Sequence, residues 1–195
     1  NGFNVTIPFK KNIIKHLDIS SQHSKNIGAV NCVMIGKKIR GINTDWTGYL
    51  NSIKSLKLNK KNKILILGYG GASQAIAYGF FCKGFKNIVI FNRSKKIIKF
   101  NKVQKYTKKY SSIDKYLINA DLIINTTPSN PLKQKQIRMV QKETVISDIV
   151  YKPKHTDFLN NFIDNKKIYG ISMLIEQAIP CFFLWFGFKP LVDEF

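Results

Sequence analysis

Acidic residues are scarce in this sequence: 11 Asp and Glu stand against 32 Lys and Arg, a formal net charge of +21. Such an excess raises the question of nucleic acid, because basic patches neutralise phosphates. Arginine, however, is scarcer still. Only Arg40, Arg93 and Arg138 occur, and the lysines are spread along the whole chain. Readers of bases and phosphates lean on arginine for two-pronged contacts. This pattern speaks against a nucleic-acid partner and fits a compositional bias toward Lys, Asn and Ile. The basic surface would still steer anionic ligands. Cys32, Cys82 and Cys181 sit far apart in apolar stretches, without metal-ligand spacing or a disulfide framework. They read as buried reduced thiols and as a cytoplasmic setting. His16, His23 and His155 are equally scattered, so no metal site is expected. No apolar run approaches the roughly 18 residues of a membrane span. The longest, residues 178–188, is broken by Pro180 and Gly187. A secretory leader pattern is missing too, as are internal repeats.

What is present is a core-forming chain with an α/β rhythm. Hydrophobic residues make up 44% and aromatics 12%. The length of 195 residues gives room for one ordinary domain and part of another. "NVTIPFK" opens as a strand over residues 4–7, stopped by Pro8, with Lys10 at the mouth of a helix. A strand so close to Asn1 leads us to expect further sequence upstream. "AVNCVMI" and "IRGINTD" alternate as a hairpin around Gly36-Lys37-Lys38. A helix follows over residues 46–56, with Tyr49, Leu50, Ile53 and Leu56 on one face. The polar run at 59–63 reads as a connector.

Beyond it, "ILIL" is a continuous apolar run of the kind buried on both faces of a parallel sheet. The helix signal of Ala72, Ala75, Ile76, Gly79 and Phe80 comes next, then the strand "NIVIF". Strands over 121–127, 144–151 and "KIYGI" complete the alternation, with helical or loop segments between. The fold class is therefore α/β: a doubly wound parallel sheet plus part of a smaller α/β unit. We expect units at residues 1–57 and 58–171, with a returning helix over 172–195. That helix should carry Leu174, Ile175, Ala178, Phe182, Trp185 and Phe186 on its apolar side, kink at Pro180 and end at Gly187.

"GYGGAS" joins the first parallel strand to its helix. Closely spaced glycines let backbone approach a pyrophosphate where a helix N-terminus favours anions, although a tight turn without a ligand can use the same residues. The end of the next strand narrows the choice. Dinucleotide folds read the adenosine ribose there, with an acid for a free 2′-hydroxyl and arginine for a 2′-phosphate. Here the strand ends in Asn92-Arg93-Ser94, with Lys95 and Lys96 following and no acid. NADP is favoured over NAD.

Taken in order, "NVTIPFK", "GAVNCV", "GINTDWTGY", "GYGGAS", "NRS", "NTTP", "DIVYKP" and "YGISMLIEQA" resemble the motifs of the shikimate dehydrogenase family, across essentially the whole chain. The resemblance implies a Rossmann-type NADP domain beside a substrate domain, and reversible reduction of 3-dehydroshikimate to shikimate in aromatic amino acid biosynthesis. It implies Lys10 and Asp45 as the catalytic pair, and Thr6, Asn31, Tyr151 and Gln177 as further substrate contacts. Gly68, Tyr69, Gly70, Gly71, Ala72, Asn92, Arg93, Ser94, Lys95, Thr127, Ile149, Gly170 and Met173 would line the cofactor.

The chain also departs from the family pattern. A first strand and a serine pair that grip the substrate carboxylate would lie upstream of Asn1, and the end at Phe195 is short. Tyr69 replaces a small residue, and "PSNP" lacks the usual glycine. The 195-residue chain is therefore expected to bind NADPH but to turn substrate over poorly. A related quinate-type dehydrogenase and a non-catalytic nucleotide-binding homologue stand as alternatives. The sequence leaves the oligomeric state open, a homodimer included.

Elementary chemistry agrees with the lysine and aspartate. Hydride delivery to a carbonyl leaves charge on oxygen, so a cation or proton donor must sit beside it. A carboxylate next to that cation favours its charged form. Taken alone, Lys10 could equally be a solvated lysine and Asn31 a side chain bonded to its own hairpin. Gln177 and Glu176 would ordinarily face water.

Overall fold

The computed structural model describes residues 1–100 and 103–192. Phe195, at the end read as short, lies outside them. The first sheet is mixed. It contains β1 (Gly2–Asn4), β2 (Ile19–Ser20), β3 (Cys32–Ile35) and β4 (Ile39–Ile42) in the order β1-β3-β4-β2. Helix α1 (Gln22–Ile27) connects β2 to the hairpin, and α2 (Asp45–Ser52) leaves it. The β3–β4 hairpin is antiparallel and pairs Cys32 with Ile42 and Ile35 with Ile39, around the expected turn.

The second sheet is wholly parallel. It comprises β5 (Ile64–Leu67), β6 (Ile88–Phe91), β9 (Leu122–Asn125), β10 (Val145–Asp148) and β11 (Lys167–Ile168), ordered β11-β10-β9-β5-β6. All four residues of β5 and of β9 are buried, as continuous apolar runs require. Helix α3 (Gly71–Cys82) links β5 to β6. The strand order reverses between β5 and β9, and doubly wound sheets bind ligands at the carboxyl ends flanking such a switch point.

Between β6 and β9 the chain forms an antiparallel hairpin, β7 (Ile97–Phe100) and β8 (Val103–Tyr106). Its cue is period two: Ile98 and Phe100 are buried while Ile97 and Lys99 face water. Short helices α4 (Asp114–Leu117), α5 (Gln134–Ile137) and α6 (Asp157–Asn160) complete the layers, and α7 (Gly170–Phe186) returns to the first sheet.

Several expectations change. The opening strand spans residues 2–4 rather than 4–7: Phe9 N–H turns back to the Thr6 carbonyl at 2.8 Å, which takes the chain out of the sheet. Residues 12–16 after Lys10 form a 3₁₀ turn rather than an α-helix. Helix α2 stops at Ser52, and residues 54–56 continue as 3₁₀. Pro180 does not interrupt α7, which runs through it for 17 residues to a left-handed Gly187. The buried positions of α7 are Gly170, Met173 and Cys181, whereas Phe186 is exposed. Cys32 and Cys181 are buried, but Cys82, at the open end of α3, is exposed. Those two buried thiols also come together across β3 and α7.

Candidate active site

Lys10 lies in the turn after β1, and its backbone carbonyl accepts the Val30 N–H at 2.8 Å. That bond anchors the turn to the strand-entry segment 29–31. From there the side chain reaches Asp45, the first residue of α2, with Nζ 2.8 Å from Oδ2. The pair is largely withdrawn from water, at 16% and 4% side-chain exposure. Its lysine stem also borders the second sheet's glycine turn: a Cβ built on Gly71 would lie 3.9 Å from Lys10 Cδ. One cation thus stands between the Asp45 carboxylate and the start of α3.

Asn31 organises the rest. It is 2% exposed. Its Nδ2 lies within hydrogen-bond range of Asp45 Oδ1 (2.9 Å), Thr44 Oγ1 (2.8 Å) and Gln177 Oε1 (3.0 Å), and its Oδ1 accepts the Thr44 N–H at 2.7 Å. The Asn31 carbonyl accepts from Val5 N–H and from Asn4 Nδ2. Asn31 is therefore a tertiary clamp rather than a hairpin side chain bonding its own strand. Asp45 gains a further tie through its own N–H, which donates to Asn43 Oδ1 at 3.0 Å.

Gln177 reaches this cluster because α2 and α7 approach at Gly48. A Cβ there would sit 2.6 Å from Gln177 Cβ and 2.7 Å from its Cα and N. Gly48→Ala would have to move α7 itself, since backbone atoms stand in the way. We expect a loss of about 1–3 kcal/mol, typical of overpacking, despite alanine's better helix propensity. Urea denaturation checks this, and unchanged stability would show that α7 can shift freely.

The cofactor candidates gather at the switch point. Gly68 has φ +98°, a left-handed value that suits glycine, and a Cβ on it would come within 2.7 Å of Thr126 Oγ1 and 2.8 Å of Thr127 Cγ2. Gly70 is the N-cap of α3, and space beside it is open. Ser73 Oγ donates to the Gly68 carbonyl at 2.8 Å, which holds the turn shut from below. Ala72 is half-buried in the first turn of α3. Tyr69 points sideways and donates its hydroxyl to the Ile97 carbonyl at 3.3 Å, so the bulky residue leaves the cradle clear.

Asn92, Arg93, Ser94 and Lys95 follow β6, with Asn92 Nδ2 donating to the Ser94 carbonyl at 3.0 Å. Arg93 is exposed and, among the described residues, pairs with no carboxylate. Beside it, Tyr110 Oη is buried against the Gly68 main chain without a well-formed hydrogen bond, and burial pushes its phenol up to about 12. An open glycine cradle, a free guanidinium and an orphaned hydroxyl in one place fit a phosphate-bearing ligand.

Thr127 lies across from Gly68, its N–H and hydroxyl both donating to Asn125 Oδ1. Gly170 packs on β10's exit: a Cβ would fall 2.5 Å from the Ile149 carbonyl oxygen. Met173, one turn on, is buried in the main core. Thr6 and Tyr151 are not drawn into the Lys10 network: Thr6 is exposed, Tyr151 is 52% exposed, and neither side chain bonds to it. Thr44, Asn43, Asn4 and Cys181 do join the cluster, Cys181 Sγ lying 3.3 Å from Thr44 Oγ1 and from Asn4 Nδ2. Thr44 was legible as the neighbour of Asp45 in "NTD"; Cys181 had no local signal.

Comparison with known proteins follows this geometry. The family model described as the shikimate dehydrogenase substrate binding domain matches residues 1–33, and that described as shikimate / quinate 5-dehydrogenase matches residues 52–172. The shikimate dehydrogenase (NADP(+)) of Aquifex aeolicus is 40% identical over 197 residues, covering 95% of this chain and 71% of the relative. That of Nitrosopumilus maritimus is 36% identical, covering 96% and 74%. A crystal structure of the Aquifex aeolicus enzyme superposes with a TM-score of 0.84 over 97% of this chain and 73% of that one, at 36% identity. The Thermus thermophilus shikimate 5-dehydrogenase, solved with NADP(H) and shikimate, gives 0.83 at 29% identity, covering 97% and 74%. In sequence, in fold and in the order of its motifs, the chain belongs to the shikimate dehydrogenase family.

Proposed function

We propose that this chain catalyses the reversible NADP-dependent reduction of 3-dehydroshikimate to shikimate. The observation that carries the reading is the Lys10–Asp45 pair, 2.8 Å apart and bordering the glycine turn. When bound, NADP exchanges a hydride with the substrate carbon. Lys10 Nζ holds a proton beside the oxygen that becomes negative, and releases it to that oxygen in the reductive direction. In the oxidative direction a deprotonated Nζ takes the hydroxyl proton. Asp45 fixes Nζ in place, while Asn31 binds Asp45, Thr44 and Gln177 and so orients the polar wall. Thr6 and Tyr151 lie at the rim as further substrate contacts. The turn 68–72 and the first turn of α3 would hold the pyrophosphate, Arg93 with Asn92, Ser94 and Lys95 would hold the ribose phosphate, and Thr127, Ile149, Gly170 and Met173 would flank the nicotinamide end.

Two separate sheets, with α7 packed on α2, support division into a substrate unit (residues 1–57 with 172–195) and a cofactor unit (58–171). No described helix is long and apolar enough to cross a membrane. We place the protein in the cytoplasm on its cysteine pattern. The test is NADPH formation from shikimate and NADP, with quinate as the competing substrate. Shikimate should give the higher kcat/KM. A higher value for quinate would move the substrate assignment, and no turnover of either, with NADPH still bound, would favour a non-catalytic homologue.

A further inference from the structure

Asp148 closes β10 and is 1% exposed. Among the described residues no lysine, arginine or histidine pairs with it. Lys152 and Asp157, the charged residues lining the small cavity beside it, are both exposed. A buried carboxylate without a cation is costly unless hydrogen bonds surround it. Here three donors do so, from three different segments. Val150 N–H donates to Oδ1 at 3.0 Å. Asn125 Nδ2 donates to Oδ2 at 3.2 Å, and Thr156 Oγ1 donates to the same oxygen at 2.7 Å.

Each donor fixes more than itself. Asn125 holds Thr127 through Oδ1, accepting both its N–H (3.0 Å) and its hydroxyl (2.7 Å), and its carbonyl accepts the Ile149 N–H at 3.1 Å. Thr156 caps α6, accepting the Leu159 N–H at 3.2 Å. Val150 lies between Ile149 and Tyr151. One carboxylate therefore joins the end of β9, and through Asn125 the Thr127 loop, to the loop after β10 and the start of α6.

We propose that Asp148 is a positioning residue whose carboxylate ties the Thr127 loop to the Ile149–Tyr151 loop, so that the cofactor-facing and substrate-facing edges of the cleft keep one relative geometry. The proposal rests on the function given above. Burial raises the Asp148 carboxyl, with the three hydrogen bonds opposing that rise. A carboxyl raised on folding contributes stability when protonated, and that contribution is lost as pH rises through its folded value.

The test is Asp148→Asn, alone and combined with Asn125→Asp. The single change keeps an oxygen for Val150 N–H but sets an amide against the Asn125 amide, and so breaks the loop-to-loop bond. The exchange re-creates it with donor and acceptor reversed. We expect kcat/KM with shikimate and NADP to fall about ten-fold or more in the single variant, as small misplacements do. The single variant should stay folded at the assay temperature, amide exchange at Thr127 and Val150 should quicken, and the double variant should recover part of each loss. Activity within two-fold of the parent overturns the proposal, as does an exchange variant no better than the single one. Amide exchange needs neither substrate nor turnover. Faster exchange in a chain whose parent does not oxidise shikimate would thus count against the assigned reaction and leave the tie standing.

Discussion

Lys10→Ala is expected to lower the rate of shikimate oxidation by about 10²–10⁴-fold, the usual cost of removing a positioned proton donor. The Nζ it removes is the cation held against Asp45, with its stem alongside Gly71. Folding should survive. Asp45 keeps its hydrogen bond from Asn31 Nδ2 at 2.9 Å and its place at the N-terminus of α2, where free amides favour a negative charge. Water can enter the space left by a partly exposed side chain. Asp45→Asn should cost less, because Lys10 remains to carry the proton and loses only its anchor. Steady-state rates with both variants and a thermal melt decide this. Near-parental turnover in Lys10→Ala would remove the lysine from the mechanism. A larger loss in Asp45→Asn would move the proton transfer to the carboxylate.

The parts of this site that could be read from the sequence are those fixed by local chemistry. "ILIL" had to be buried on both faces, and Gly68 had to provide the positive φ that opens the phosphate cradle. Arg93 stood out as a candidate because the end of β6 is where such folds read the ribose. Asn31 and Gln177 were named only through the family resemblance, since their surroundings are set by tertiary contacts 146 residues apart. Gly48, which allows that approach, looks in sequence like an indifferent helix residue. Cys32 and Cys181 likewise meet only because α7 lies on β3. The β7–β8 hairpin was missed for another reason: its lysines mask a short alternation, in which Ile98 and Phe100 of β7 point inward. Asp148 did leave a trace, an acid inside the apolar strand "TVISDIV", but its three partners come from the end of β9, the loop after β10 and a helix start.

The cofactor preference gives the second large effect. Arg93→Ala should lower kcat/KM for NADP by about ten- to a hundred-fold while leaving that for NAD nearly unchanged, because a charge-assisted hydrogen bond contributes roughly 1.5–3 kcal/mol. The argument begins with what Arg93 lacks: no carboxylate among the described residues neutralises it, and its side chain is exposed at the exit of β6. The turn beneath it is held, with Asn92 N–H donating to the Lys108 carbonyl at 2.9 Å and Asn92 Nδ2 to the Ser94 carbonyl at 3.0 Å, so the guanidinium starts from a fixed backbone. Lys95, the nearest alternative cation, has its Nζ 4.4 Å from the centre of the Tyr106 ring, which draws it toward the hairpin. It can soften the loss without replacing a two-pronged contact. Because the site is open to solvent, the NADP advantage of the parent should shrink as salt rises, whereas the variant's NAD rate should barely respond. Equal losses with both cofactors would mean that Arg93 supports the loop rather than reading the 2′-phosphate, and an unchanged NADP preference would pass that role to Lys95.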